Sequence, residues 1–327
     1  MIIRFVTLFS LLALLTSGAA AQQQIPRQLA PGVLTVIPSE PKEDETASPP
    51  GPLVEMAANY AGLDWKPNYM AKKETLLEKS KYVTLRRPIW NLEFAFKPVR
   101  RITVDMPQTS GKMQQKQIWY MVYRVKNMGT QFVPTGVPDA FGKETYKVEP
   151  APRADIRFIP HFVFAGKAQI DDEYVDKEYL DRILPIASKA IESRESRNVK
   201  LYNSVEITQV PIPVSDENVD RSVWGYVTWE DIDPRIDFFS IYVQGLTNAY
   251  RYSDPPNGYE AGKAPGSGRL FAAKTLQLNF WRAGDSIAEH EEEVHYGIRL
   301  EQDPVEQSLI LSHYGLTEPL DHRWIYR

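Results

Sequence analysis

A mainly β, antiparallel sandwich with a helical insert and a short terminal helix is the fold that this sequence predicts. Three observations point to it. Val223 to Trp229 and Ile236 to Gln244 are dense in aromatic and β-branched residues and flank the polar stretch Glu230 to Arg235, the pattern of two antiparallel strands and a turn. Strand side chains alternate, so Phe239, Ile241 and Val243 form one wholly apolar face, and Phe238, Ser240, Tyr242 and Gln244 form the other. Several further runs repeat this period of two, and a single long charged segment breaks it.

In chain order, Met1–Ala21 reads as a secretory signal peptide. Arg4 is its basic start, Phe5 to Leu15 its apolar run and Ala19-Ala20-Ala21 its small-residue cleavage site. The run is shorter than the ~20 residues of a spanning helix. Residues 22–52 carry seven prolines and the acidic stretch Glu40 to Glu45, so a disordered tether is expected, with Val33 to Ile37 as a strand that can add to a sheet edge. Residues 53–81 predict short helices broken at Gly62, Pro67 and Asn68.

The β-rich body spans 82–300, as one unit or as two parts, 82–167 and 200–300. Trp90, Leu92, Phe94 and Phe96 alternate with Asn91, Glu93 and Ala95, which makes a half-buried strand. Arg100 to Asp105 follows across Pro98, and a polar loop is expected over Met106 to Lys116. Gln117 to Lys126 is the strongest strand, ending at an expected turn at Asn127-Met128-Gly129. Asp155 to Ala165 is a strand that Pro160 places at an edge or bulge. Residues 170–197, acidic early and more basic late, predict a helical segment in which Pro185 opens a second helix. Strands are expected over Leu201 to Val210, Leu270 to Trp281 and Val294 to Leu300, with a long surface loop over Ser253 to Arg269. Residues 301–327 hold a helix capped by Asp303 and ended near Gly315, then an aromatic tail ready to dock as a last strand.

Ile118-Trp119-Tyr120, with Asn127 and Gly129 after it, resembles the strand-and-turn text of immunoglobulin-like modules in exported bacterial proteins. The likeness covers about fifteen residues and implies an immunoglobulin-like β-sandwich assembly. Trp224 to Trp229 and Asp233 to Arg251 carry a separate likeness. Together with the leader and the Pro-rich acidic stretch, they make the chain similar to uncharacterised exported bacterial β-rich proteins. That resemblance implies no catalytic residue.

Composition narrows the function classes. Apolar residues make up 43% and charged residues 24% of 327 residues, ordinary for a globular protein, and the net charge is −4. There is no basic excess for sequence-independent nucleic-acid binding or for holding an anionic membrane. Cysteine is absent, so an exported fold would hold together through its core without disulfides. With no Asn-x-Ser/Thr site either, the expected location is the bacterial periplasm or the cell surface.

The motifs that invite a chemical reading fall short of their patterns. His290 and His295 are five residues apart with glutamates between. That turns the second ring about 140° from the first, so the helical zinc pair fails, and His290 remains a candidate ligand for a looser metal site. Asp231, Asp233 and Asp237 are spaced like calcium ligands, but Pro234-Arg235 interrupts the loop. The glycine-rich stretch Gly262 to Gly268 matches no phosphate loop, and Ser267 no nucleophile elbow. No cofactor is expected, and calcium is the alternative to that expectation, with Asp231 and Asp233 as its candidate ligands. Seven tryptophans and seventeen tyrosines raise sugar stacking, with Trp229, Tyr250, Tyr252 and Tyr259 as ligand-binding candidates near loop ends.

The expectation is a non-catalytic exported protein that binds another protein or an envelope polymer. The alternatives are a secreted metal-dependent or hydrolytic enzyme, built on His290 or His161 with Asp231 or Glu292, and a carbohydrate-binding module.

Overall fold

The computed structural model describes residues 34–54, 76–171, 173–196, 199–256, 258–260, 262–264, 266–283 and 293–327. The expected signal peptide, the first part of the tether, most of the 53–81 helices, and His290 with Glu292 lie outside the described residues.

The chain is mainly β, and its two large sheets are antiparallel. In the first, every pairing but one runs through one strand, β4 (Met113–Pro138). Its inner residues are contacted on both sides. Tyr123 pairs with β2 (Ile89–Phe96) and with β10 (Val223–Glu230), and Tyr120 pairs with β3 (Arg100–Pro107) and again with β10. β1 (Thr35–Ile37) adds outside β2, and β5 (Glu144–Pro152) pairs with the last part of β4.

The second sheet is organised in the same way around β13 (Leu270–Arg282). β11 (Phe238–Gln244) and β12 (Tyr250–Ser253) lie along one side, β14 (Val294–Tyr296) and β15 (His322–Tyr326) along the other. β7 (His161–Ile170) follows outside β11, and β8 (Glu173–Leu180) outside β7. A small ladder joins β6 (Ile156–Arg157) to β9 (Pro211–Ile212).

The sheets share one core of Leu92, Phe94, Trp119, Met121, Tyr123 and Trp229 from the first and Phe162, Phe164, Phe239, Ile241, Leu278 and Phe280 from the second. Rings meet across the interface: Trp119 lies 5.8 Å edge-on to Phe239, and Tyr123 lies 5.0 Å from Phe162. Such pairs contribute about 0.5–1.5 kcal/mol each beyond the area they bury. Gly225 is required by this packing, because a Cβ there would stand 2.6 Å from the Tyr123 hydroxyl.

Among the described residues, three α-helices flank the sheets. α1 (Leu76–Ser80) is a single turn. α2 (Pro185–Glu195) starts on Pro185 as expected, and Ala187 and Ile191, one turn apart, bury against Val104, Ile118, Tyr120 and Val122 on the outer face of the first sheet. α3 (Pro304–Tyr314) is capped by Asp303, whose side chain accepts from the Val305 amide, and ends on left-handed Gly315. Its Ile310, Leu311 and Tyr314 gather with Phe238 on the outer face of the second sheet.

Several expectations are corrected. Val223 to Trp229 and Ile236 to Gln244 are strands, but not a hairpin: β10 pairs with β4 in one sheet, and β11 pairs with β7 and β13 in the other. Both strands carry a fully apolar face, so each is satisfied by facing the other across the core rather than lying beside it. Asn127 to Gly129 is no turn; β4 continues through it. Gly129 takes φ +78° beside a register shift in β2, and the Asn127 side chain accepts from the Gly129 amide and donates to the Ala154 and Ile212 carbonyls, which makes it a bulge fixed by side-chain bonds. The polar loop before it shrinks to the few residues between β3 and β4.

The acidic half of 170–197 is strand β8, not helix. A ladder to β7 outweighs a charge order that suits helix but carries no apolar stripe. Leu201 to Val210 makes a short 3-10 turn at Glu206–Gln209 instead of a strand. From Leu34 the tether is docked, not disordered, and Glu45, Thr46 and Ser48 are buried. Leu34–Arg327 forms one compact unit, and strands from 82–167 and from 200–300 build both sheets.

Candidate functional site

The β10–β11 crossover places the aspartates at one end of the sandwich, where a cleft of about 240 Å³ opens between the sheets. Asp231 sits in the left-handed region at φ +57°, a conformation that aspartate tolerates better than most residues. Its carboxylate accepts from Lys116 at 3.0 and 3.1 Å, and that bond holds the Lys116 ammonium above its ordinary range. Asp233 is gripped by the Arg235 guanidinium at 2.8 and 2.9 Å, which keeps its carboxyl below the usual value. Asp237 lies 3.4 Å from Arg282. The three carboxylates thus face three different cations rather than one point. Among the described residues no group of three histidine, aspartate or glutamate side chains could hold a metal ion. His161 is exposed on β7 opposite Gln244, away from this end of the pattern.

Trp229 cannot stack on a ligand: it is fully buried in the shared core, 5.9 Å from Phe164. Alternation explains this, since its neighbour Thr228 pairs outward with Tyr120 while Trp229 joins Trp119 inside. Tyr250 and Tyr252 do come together. Both are half-buried on β12 and flank Phe271 of β13, at 5.5 and 6.4 Å between ring centres. Arginines already cover them, Arg87 at 3.7 Å over Tyr250 and Arg269 at 4.6 Å over Tyr252. Tyr259 is half-buried, and its hydroxyl donates to the Lys263 carbonyl.

The most conspicuous titratable cluster is on the opposite face of the first sheet. Glu195, at the end of α2, accepts from Lys97 at 3.0 Å, Arg100 at 2.7 Å and Tyr120 at 2.7 Å with its side chain 2% exposed. Burial works against its ionisation, but the Tyr120 and Lys97 bonds and the Arg100 charge outweigh it and hold the carboxyl low. With its oxygens taken by three donors, it pins α2 to the sheet.

The feature missed by sequence reasoning is an arm. Beyond Phe132, β4 loses β2 and is paired only with β5, so a two-stranded ribbon projects from the body. No residue from Met128 to Asp155 is buried. Directly opposed residues share a face, which puts Phe132, Pro134, Gly136 and Pro138 with Glu144, Tyr146, Val148 and Pro150 on one side, and Gln131, Val133, Thr135 and Val137 with Thr145, Lys147, Glu149 and Ala151 on the other, more polar one. The tip carries Phe141, 96% exposed.

Prolines shape its edges. Proline has no N–H, so the pairs Pro134↔Val148 and Pro138↔Glu144 are those that exchange no hydrogen bonds, and their nitrogens point away from the partner strand. Of the outward positions Pro134, Gly136 and Pro138, only Gly136 offers a donor, so this edge is blunted against another strand. The sequence signal was the period of two in 130–138 and 144–152, obscured by these four prolines at 134, 138, 150 and 152.

No protein-family model, curated protein or solved structure matches this chain.

Proposed function

We propose that the chain is a non-catalytic exported protein that binds another protein through the β4–β5 arm, carried on an immunoglobulin-like sandwich. The observation that carries this reading is the arm itself: an apolar face and a nearly bare Phe141 on a ribbon with no core of its own. A two-stranded ribbon is marginal in water, and a partner that covered its apolar face would stabilise it. The blunted β4 edge disfavours strand addition on that side. Export is supported by the basic, apolar and small-residue order of the first residues. The charge of −4 disfavours nucleic acid as the partner.

A photoactivatable residue at position 141 tests it in cells that produce the protein. One discrete cross-linked protein is expected, absent with the same probe at exposed Thr103. Equal capture at both positions, or none at 141, would remove the arm as the binding element. A second reading, binding of an envelope polymer, is favoured by one observation, Phe271 standing 61% exposed between Tyr250 and Tyr252.

A further inference from the structure

The inner face of the first sheet changes character where the core runs out. Read backwards along β4, its core-facing positions are Tyr123, Met121 and Trp119, and then Gln117 and Gln115. Amides stand where the alternation asks for apolar side chains, and departures of this kind concentrate at functional positions. Gln115 is exposed and Gln117 half-buried, and both line the 240 Å³ cleft described above.

Arg282 forms the inner wall of that cleft at the end of β13. It is 3% exposed, donates from Nε to the Ile236 carbonyl at 3.0 Å and lies with its guanidinium 5.9 Å from the centre of the Trp119 ring. Its Nη2 is buried and has no acceptor among the described residues. A buried donor left unmet costs about 1–3 kcal/mol, and more on a charged group. Asp237 stands 3.4 Å from Nε and leaves Nη2 unmet, and an arginine donor is answered best by a carboxylate.

The rest of the cleft narrows the choice. Lys116, on the rim, adds positive charge that Asp231 and Glu230 balance, at 3.0 and 3.5 Å. Glutamine amides both donate and accept, as sugar hydroxyls do. Stacking is not on offer, because Trp119 is 4% exposed, lies under Arg101 and Arg282, and meets Phe164 and Phe239 edge-on. The volume corresponds to about eight waters at ~30 Å³ each, room for one ring and not for a chain of them.

We infer that this cleft is a binding site for a single uronic acid residue, its carboxylate directed to Arg282 and its hydroxyls to the glutamines of β4. The site is independent of the arm. Substrate turnover is not part of it: binding requires only that the buried Nη2 be brought to the carboxylate and that the ring occupy the cleft.

The experiment uses full-length protein labelled with ¹⁵N-arginine, following the Arg282 Nε–H resonance during titration with galacturonate, galactose and a glutamate-containing tripeptide. A saturable shift with galacturonate is expected, at least tenfold weaker with galactose. Gln115→Ala, at an exposed position, should weaken galacturonate severalfold with an unchanged melting temperature, and Arg282→Gln should abolish it. If Arg282→Gln does not fold, Gln115→Ala and Lys116→Ala carry the comparison. No saturable shift with galacturonate, or equal shifts with galactose, would overturn the inference. A saturable shift with the tripeptide and none with galacturonate would also overturn it and give the cleft to acidic peptides.

Discussion

β13 and β4 are the two organising strands, and they end in opposite situations. β13 has neighbours on both sides from Leu276 to Trp281, and its outward-facing polar residues Thr275, Gln277 and Asn279 are fully buried. The last third of β4 has one neighbour and displays apolar residues to solvent. Residue type alone does not tell which surface is covered; the added layer does. Over β13, α3, the segment that follows it and the C-terminal strand supply partners for Gln277 and Asn279, while Thr275 donates to the Ala273 carbonyl of its own strand. Gln277 donates to Ser240, Asn279 and the Tyr314 carbonyl and accepts from Arg323, while Asn279 donates to the Leu320 carbonyl. Among the described residues the arm has only Arg86 stacked over Tyr146, at 3.9 Å, which is why it reads as a surface awaiting a layer.

That contrast can be broken most strongly at Lys274 of β13. Its ammonium lies 2.6 Å from Glu45, with the side chains 2% and 4% exposed, and donates to the Glu40 carbonyl. Lys274→Met leaves Glu45 buried without its cation and should cost about 3–5 kcal/mol, read from the urea midpoint. Asn279→Ala should cost about 1–3 kcal/mol by orphaning the Leu320 carbonyl and the Ser240 hydroxyl. A loss below the ~0.5 kcal/mol of an ordinary surface substitution would show that the covering layer is loose.

An alkaline titration sharpens the same point. Burial, the Glu45 charge and its bond to Glu45 push Tyr326 up to about 12, against about 10 in the unfolded chain. The folded state therefore keeps a proton that the unfolded state loses. Its contribution is complete below pH ~10 and lost as pH rises towards 12. Tyr326→Phe should flatten that limb of the stability curve, and an unchanged slope would place the tyrosine's titration outside the folding equilibrium.

The arm should respond in the other direction. Phe141→Asp is expected to alter stability by less than ~0.5 kcal/mol while abolishing the cross-link from a probe moved to exposed Lys143. Pro134→Val combined with Pro138→Val restores donors at all three outward positions of the β4 edge. Sedimentation should then detect self-association that the parent chain lacks, with little change in melting temperature.

Much of this fold could be read from the sequence where one physical preference acted alone. The faces of β11 follow from alternation, and α3 follows from Asp303, Pro304 and Gly315. Reading failed where two preferences competed. Asn127 and Gly129 suit a turn as well as a bulge, and only the long-range ladder to β5 selects the bulge. The acidic run of β8 suits a helix start, and pairing with β7 overrides it. Of the candidate site residues, Asp231 does line the cleft. Arg282 gave no motif, since a buried guanidinium at a strand end is defined by what packs around it.

Tyr326 donates to Glu45 across 281 positions of sequence, and β10 reaches back about a hundred residues to β4. Such separations make assembly slow, because distant segments must meet before any of their contacts can form. A ribosome or translocation channel delivers the docked strap around Glu45 long before Lys274 and Tyr326 emerge to receive it. The nascent chain therefore spends most of its synthesis with its central sheet unfinished, and a chaperone that shields β4 would act on it before any mature ligand does.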